Sequence, residues 1–392
     1  MDLGPFRQVM AIKSARQLLL ISFVGRLPYS TTGLILTLHV VQHLGLSYAS
    51  AGLVTAASTL GFAIGAPWRG RLIDQVGLRR ALVASIVAEV ILYSIAAFVE
   101  FGPLLLVAFL SGVFMVPVFT IMRQSLSVTV PITLRRAAFS ADGIAAELSF
   151  VVGPAAGIWA ATTFGTQPLL IFLGIASSAV GMMLWVLNIA TRSEEHLDSK
   201  ESSPGKWLNT SLIFVFVLAG TTTFALHGTD LALFAHLREM GSLSQLGIVF
   251  ATWSGGSIIG GLIYGAMPRS VRPSHLILAL ALLTIPIGLA QNTWQLALAV
   301  IPAGMLTSPA ITAVGEWVAH LVPEDRRGEA MGWQGTAFTL GGAFAAPIVG
   351  ATMDNIGPWG GYALAGIVSA VIALASLGLQ STMRKSATNL HP

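Results

Sequence analysis

Seven ionisable residues fall inside long apolar runs: Arg26, Glu89, Asp142, Glu147, His227, Asp230 and Glu316, with His320 nearer the end of the run that holds Glu316. A charge at the centre of a bilayer costs about 2.5–3.5 kcal/mol on insertion scales, so an acid or base kept there is a candidate for ion pairing or proton exchange. Arg26 and Glu147 form the first candidate pair. Each lies about nine residues, roughly 13 Å, from the inner end of its own run. Pairing at matched depth would relieve both desolvation penalties, either as a coupling device or as a permanent tie between helices.

Polar residues also recur at helical spacing. Arg26, Tyr29, Ser30, Gly33 and Thr37 share one face of the first run; Thr223, His227 and Asp230 do so in the seventh. Ser308, Thr312, Glu316 and His320 follow at four-residue steps in the tenth. Such stripes suit a cavity wall. His227 with Asp230, or Glu316 with His320, has metal-ligand spacing, but two ligands do not make a metal site. Glu89 is expected to serve packing or to face lipid, and Asp142 to favour the start of its helix. No loop carries a nucleophile–base or phosphate-binding constellation, so no enzyme and no cofactor is expected.

The elements that position these residues follow from composition. Of 392 residues, 54% are hydrophobic and 10% charged, with a mean hydropathy of +0.78. A soluble domain carries about 25% charge, so the bilayer is the expected solvent. With no cysteine, disulfides and thiolate metal sites are excluded. A spanning helix needs about twenty apolar residues. Runs of that kind lie at Leu18–Val41, Ser50–Trp68, Ala81–Val99, Pro103–Met122, Ala138–Thr162 and Gln167–Ile189. Six more follow at Leu208–His236, Gln245–Met267, Ser274–Ala290, Gln295–Leu321, Ala330–Met353 and Gly361–Gln380.

Positive residues stay on the cytoplasmic side. With the N-terminus inside, nineteen of the twenty-one Lys and Arg residues fall in inward segments; Arg238 falls outside and Arg26 within the first run. The pI near 9.7 is thereby explained without nucleic acid. The first sixteen residues carry Arg7, Lys13 and Arg16 ahead of a run long enough to span, so no cleaved leader is expected.

The chain also repeats itself. Gly52, Gly61, Gly65 and Gly70 recur 195 residues on as Gly247, Gly256, Gly260 and Gly265. Gly112, Pro117, Pro131, Arg135 and Gly143 recur 192 residues on as Gly304, Pro309, Pro323, Arg327 and Gly335. After one residue of slip, Pro154 and Gly157 match Pro347 and Gly350. Two related six-helix halves, 1–190 and 208–392, are expected, joined by a flexible cytoplasmic linker at 191–207. The small residues let helices approach closely in lipid.

Between the second and third runs lies Gly70-Arg71-Leu72-Ile73-Asp74-Gln75-Val76-Gly77-Leu78-Arg79-Arg80. Gly70 permits close approach at a helix end and Gly77 a turn. Asp74 can pair with an arginine or accept N–H groups at a neighbouring helix start. This segment resembles the cytoplasmic loop signature of the major facilitator superfamily, and chain length, run count, duplication and linker position agree with that resemblance along the whole chain. It implies an all-α fold of twelve transmembrane helices in two pseudo-symmetric six-helix bundles. It also implies that Gly70, Asp74, Gly77, Arg79 and Arg80 latch an outward-open state, that the first and fifth helices are neighbours, and that helices 1, 4, 7 and 10 line a central cavity. Gly153-Pro154-Ala155-Ala156-Gly157 resembles the core of the family's antiporter motif, although Ile158 and Ser149 stand where glycines are usual. Ala108 stands where many drug exporters of the family carry a proton-relay arginine, so that role is not carried over.

The expected function is proton-coupled efflux, an antiport of a small, moderately lipophilic molecule by alternating access. Glu147 is the first candidate proton carrier, with Asp230 and Glu316 next; Arg26, Tyr29, His227 and Thr312 complete the candidate substrate and proton site. A proton-coupled importer of a sugar, organic acid or other metabolite is the alternative, and a receptor or scaffold is disfavoured by the short loops. The expected partners are the small-molecule substrate, protons and the lipid bilayer, with no nucleic acid, and the chain is expected to act as a monomer. The expected location is a bacterial inner membrane, with both termini cytoplasmic.

Overall fold

The computed structural model describes residues 3–191, 208–242 and 245–388. The linker expected at 191–207 lies outside them except for Thr191. The described residues are nearly all helical. A short helix, α1 (Gly4–Ala11), precedes α2 (Lys13–Leu38), which ends in a π-helical turn at His39–His43. Then come α3 (Tyr48–Val76), α4 (Leu78–Ala96), α5 (Phe101–Phe114), α6 (Val118–Thr129), α7 (Arg135–Phe164) and α8 (Thr166–Leu187). The later group holds α9 (Thr210–Glu239), α10 (Leu246–Ala266), α11 (Pro273–Thr284, continued as a 3-10 turn to Leu289), α12 (Thr293–Leu321), α13 (Arg327–Ile356) and α14 (Pro358–Thr388).

Ten helical segments among the described residues are long and apolar enough to cross a membrane, with α5 and α6 counted as one. Of the other two expected runs, α4 carries Arg79, Arg80 and Glu89 in nineteen residues, and Pro273–Leu289 is a shorter apolar helix. Two expected boundaries need correction. The second helix does not stop at Trp68 but continues to Val76, so Gly70 and Asp74 sit on its last turns and Arg69 is buried in it. The fourth is broken at Met115–Pro117 and resumes as α6, which buries Arg123 and Gln124 where a loop was expected. No breaker stands between Met122 and Pro131, and that is why the helix continues.

Glycines set the packing inside each group. A Cβ on Gly61 would strike the Phe109 carbonyl, one on Gly65 the Val113 carbonyl, and one on Gly112 the Ser58 carbonyl. In the later group Gly256 meets Ile301, Gly260 meets Met305 and Gly304 meets Trp253 in the same way. Each partner in the second set lies 195 or 192 residues after its counterpart. The recurrent glycines are therefore the points where α3 touches α5 and where α10 touches α12, and backbone-to-backbone contact is what small residues provide in lipid.

Candidate functional site

Among the described residues, the hydrogen bonds and ion pairs that join the two groups cluster toward the end of the molecule that holds Asp74. There α3 runs against the start of α13. The Asp74 carboxylate accepts the Gly328 and Glu329 N–H groups at 3.2 and 2.8 Å and the Gln124 amide at 2.8 Å. These N–H groups lie in the first turn of α13, where they have no partner within the helix and a carboxylate is favoured. The approach needs glycine on both sides, since a Cβ on Gly70 would strike the Gly328 carbonyl and one on Gly332 would press on Ala66 and Pro67. Gly77, at φ +82°, makes the turn into α4. Arg79 caps the end of α8, donating to the Trp185 and Val186 carbonyls from beside the Trp185 ring. Arg80 is exposed.

A second lock lies beside it. Glu316 on α12 accepts from Arg136 on α7 at 3.3 and 3.4 Å, from the Tyr264 hydroxyl at 3.2 Å and from Ser270 at 3.1 Å. Arg136 also donates to the Met267 carbonyl at 2.6 Å. Glu316 was expected on a cavity wall with Thr312. Both are instead buried where the groups meet, and Ser308 and Thr312 face Gly143 of α7. The four-residue spacing does place them on one face; that face is closed by α7 and α10.

Arg26 does not pair with Glu147. Its guanidinium grips Asp142: Nη2 donates to Oδ2 at 2.9 Å, and Nη1 lies 2.9 Å from Oδ1 and 3.0 Å from the Asp142 carbonyl. Ser22 donates to Oδ1 at 2.5 Å, Arg123 sits 3.7 Å from Oδ2, and the Phe119 ring lies 4.2 Å beneath the Arg26 guanidinium. The physical reason is rotation. Asp142 and Glu147 are five residues apart, so they point about 140° away from each other around α7, and only the first faces α2. Asp142 is thus a buried ion-pair partner, beyond any effect at the helix start.

Glu147 faces the other group and accepts from Ser257 on α10 at 2.8 Å. With Thr336, which donates to the Ala63 carbonyl at 2.6 Å, it stands at the deepest level where the groups are still joined. Beyond it lies Tyr29, whose ring meets Phe62, Phe119 and Phe150 at centroid distances of 5.8, 5.3 and 6.1 Å. His227 and Asp230 are 3.6 Å apart on α9, with side chains 58% and 41% exposed, and the His227 ring lies against Gly342 of α13. Thr223 donates to the Phe338 carbonyl at 2.7 Å and so ties α9 to α13. The candidate residues therefore divide into a buried triad, a bridging carboxylate, an exposed pair and a lock. The pieces missed from sequence are Arg123, Arg136 and Tyr264.

Gly153 and Gly157 press on α2: a Cβ there would strike Ser30 and Thr31 respectively. Ser149 donates to the Phe23 carbonyl at 2.9 Å, and Ser30 to the Ser149 carbonyl at 2.9 Å. The Pro154 segment is thus where α7 crosses α2 in close contact.

This arrangement of paired glycine contacts, with an aspartate at the start of α13, meets a family match along nearly the whole chain: the model of the Major Facilitator Superfamily covers residues 18–267 and 212–390. The chain belongs to the major facilitator superfamily. It is a multi-pass membrane protein of a transporter family. No curated protein matches it in sequence.

Solved structures share the fold. A bacterial homologue of the iron transporter ferroportin, in an outward-facing state, superposes with a TM-score of 0.73 at 14% identity, over 93% of this chain and 100% of that one. The human organic anion transporter MFSD10 gives 0.69 at 16% identity over 95% and 100%. The E. coli fucose:proton symporter gives 0.67 at 14% identity over 92% and 98%.

Proposed function

We propose that this major facilitator transporter exports a small, moderately lipophilic molecule in exchange for protons, by alternating access between two six-helix bundles, 1–190 and 208–392. In this reading α4 and the segment Pro273–Leu289 are spans as well, giving twelve, and the Asp74 end is cytoplasmic. The observation that carries the proposal is the Glu147–Ser257 bond. That bond ties one carboxylate of the first bundle to the second through a neutral hydroxyl. A charged Glu147 accepts that bond. A protonated one is a weaker acceptor, and that tie between the bundles is weakened. In this reading Asp230 and His227, 3.6 Å apart and partly exposed on α9, deliver the proton.

Export over import is supported by the Gly153–Pro154–Gly157 contact with α2 and by the aromatic cluster of Tyr29, Phe119 and Phe150. The test is transport in proteoliposomes under an imposed pH gradient. The wild type should move a lipophilic fluorescent cation or neutral dye against its gradient when the far side is acid. Glu147→Gln should lose the pH-driven component while still binding the dye. Retention of pH-driven movement in Glu147→Gln would overturn the assignment, and accumulation of sugar or acid with the proton would favour import.

A further inference from the structure

Glu89 takes no part in the mechanism above, yet it is buried in the middle of α4 with 1% of its surface exposed. Its Oε1 accepts the Val116 N–H at 2.5 Å, across the break between α5 and α6. Its Oε2 is buried, with the Ser177 hydroxyl as the neighbouring polar group. Glu89 borders a cavity of about 10 Å³, room for about one water, lined also by Tyr29, Thr32, Tyr93, Met115 and Ser177. On the other side of the break, Arg69 from α3 donates to the Gly65 carbonyl and reaches the Gly112 carbonyl at 3.5 Å. A break in a helix frees N–H groups on one side and carbonyls on the other. Here a carboxylate holds one of the first and a guanidinium one of the second.

The repeat supplies a control. Pro117 at the break has its counterpart in Pro309, 192 residues on, yet α12 runs unbroken through Pro309 from Thr293 to Leu321. Proline alone therefore does not break this helix. The positions that correspond to Glu89 and Arg69, 195 residues on, are Thr284 and Tyr264. The copy with the charged pair is broken and the copy without it is not.

We propose that Glu89 is a proton-binding site that sets the bend between α5 and α6. As a carboxylate it holds the Val116 N–H and the break persists. As a neutral acid, with its proton on Oε2 toward the cavity, it is a weaker acceptor, and the segment at Met115–Pro117 re-forms helix as the Pro309 segment does. The proton arrives through the one-water cavity past Tyr29, whose ring also meets Phe62, Phe119 and Phe150. The groups facing Glu89 are Arg69 from α3, Tyr29 from α2 and Tyr93 from its own helix; α8 contributes Ser177 and α5 the backbone at Met115. The bend matters because α6 carries Arg123, Gln124 and Ser127, which reach Asp142, Asp74 and Arg327.

This inference rests on the proton-coupled reading, but its test does not need transport. The chain has no cysteine, so spin labels go only where placed: Gly102→Cys near the start of α5 and Ile132→Cys just past α6, both exposed. The distance between them, measured in detergent from alkaline to acid pH, should shift to a second value as Glu89 protonates. Glu89→Gln should give the acid value at every pH, and Glu147→Gln should leave the response intact. Glu89→Asp, which keeps a carboxyl, should move the midpoint, and it carries the test if Glu89→Gln does not fold. A wild-type distance that ignores pH, a Glu89→Gln response like the wild type, or an unmoved midpoint in Glu89→Asp would each overturn the proposal. If pH-driven export is absent while the label response follows Glu89, the proposed function fails and the proton site stands.

Discussion

Removing the charge of Asp142 leaves two buried arginines facing one another. In Asp142→Asn, Arg26 keeps its bond to the backbone carbonyl but loses the carboxylate that two of its contacts reach at 2.9 Å, and Arg123 loses its 3.7 Å counterion. Breaking a buried pair by removing one partner costs about 3–5 kcal/mol, whereas replacing both by apolar groups of similar volume is often neutral. The triad carries an unbalanced positive charge already, so the value for Asp142→Asn belongs at the upper end. Arg26→Met should cost less, because Asp142 retains Ser22 and Arg123. In Arg26→Met/Asp142→Leu, Arg123 still has the Ile311 carbonyl at 3.3 Å, and the double variant should recover about 2 kcal/mol or more relative to the sum of the singles. Denaturant unfolding of the purified protein in micelles, followed by fluorescence of its nine tryptophans, measures all three. A cost below about 1 kcal/mol for Asp142→Asn, the range of exposed pairs, would show that Asp142 does not neutralise Arg26 and would refute the reasoning.

The locks at the Asp74 end can be read with a single reporter, Ser140→Cys, which lies buried against Gly265. Asp74→Asn weakens charge-assisted bonds worth about 1.5–3 kcal/mol each, so maleimide labelling of the reporter should speed up by roughly tenfold or more; an unchanged rate would show that the contact does not hold the end shut. Glu316→Gln should have a comparable effect, while Tyr264→Phe, which removes one neutral donor, should shift labelling only a few-fold, by about 1 kcal/mol. Gly70→Val should open the same end by driving α3 from α13, and crosslinking between Ala63→Cys and Thr336→Cys, which are in contact in the native chain, should then fall. Gly112→Ala and Gly304→Ala make the same intrusion in the two groups and should each cost about 1–3 kcal/mol; a large difference between them would deny that the contacts are equivalent.

The sequence was informative about spans and close contacts, and much less about partners. Run length, glycine offsets and the segment around Asp74 are one-dimensional signals, and each has a local cause: hydrocarbon thickness, backbone approach, a turn at Gly77. The partner of Arg26 is a rotational question. Asp142 and Glu147 both lie on the same apolar run, and depth favoured Glu147, but α7 turns that residue toward Ser257. A sharper reading was available in Ser22 and Arg26, four residues apart on one face, since a hydroxyl and a guanidinium stacked together call for an acid opposite both. Glu316 misled for the opposite reason. A polar stripe marks a face that meets polar groups, and here those groups are Arg136 and Tyr264 of the lock, with no open cavity beside them.

What the duplication preserved and what it did not separate cleanly along physical lines. Backbone contacts at glycine recur in both groups, because each group must pack against itself in lipid whatever it carries. The charges of the triad do not recur. The position matching Arg123 is Gly315, against which Arg123 itself packs, and the position matching Asp142 is Gln334, whose side-chain nitrogen is buried without a partner. Glu316 corresponds in turn to Gln124, which bonds Asp74. A buried charge needs a partner of its own, so each is fixed by one neighbour and is lost in the copy where that neighbour differs. The two groups thus share a scaffold and divide the electrostatics. The first holds the triad, Glu147 and Glu89; the second supplies Ser257, the N–H groups of α13 and Glu316. Apart from Thr336 on the Ala63 carbonyl, each of these ties sets a charged side chain of one group against a partner from the other.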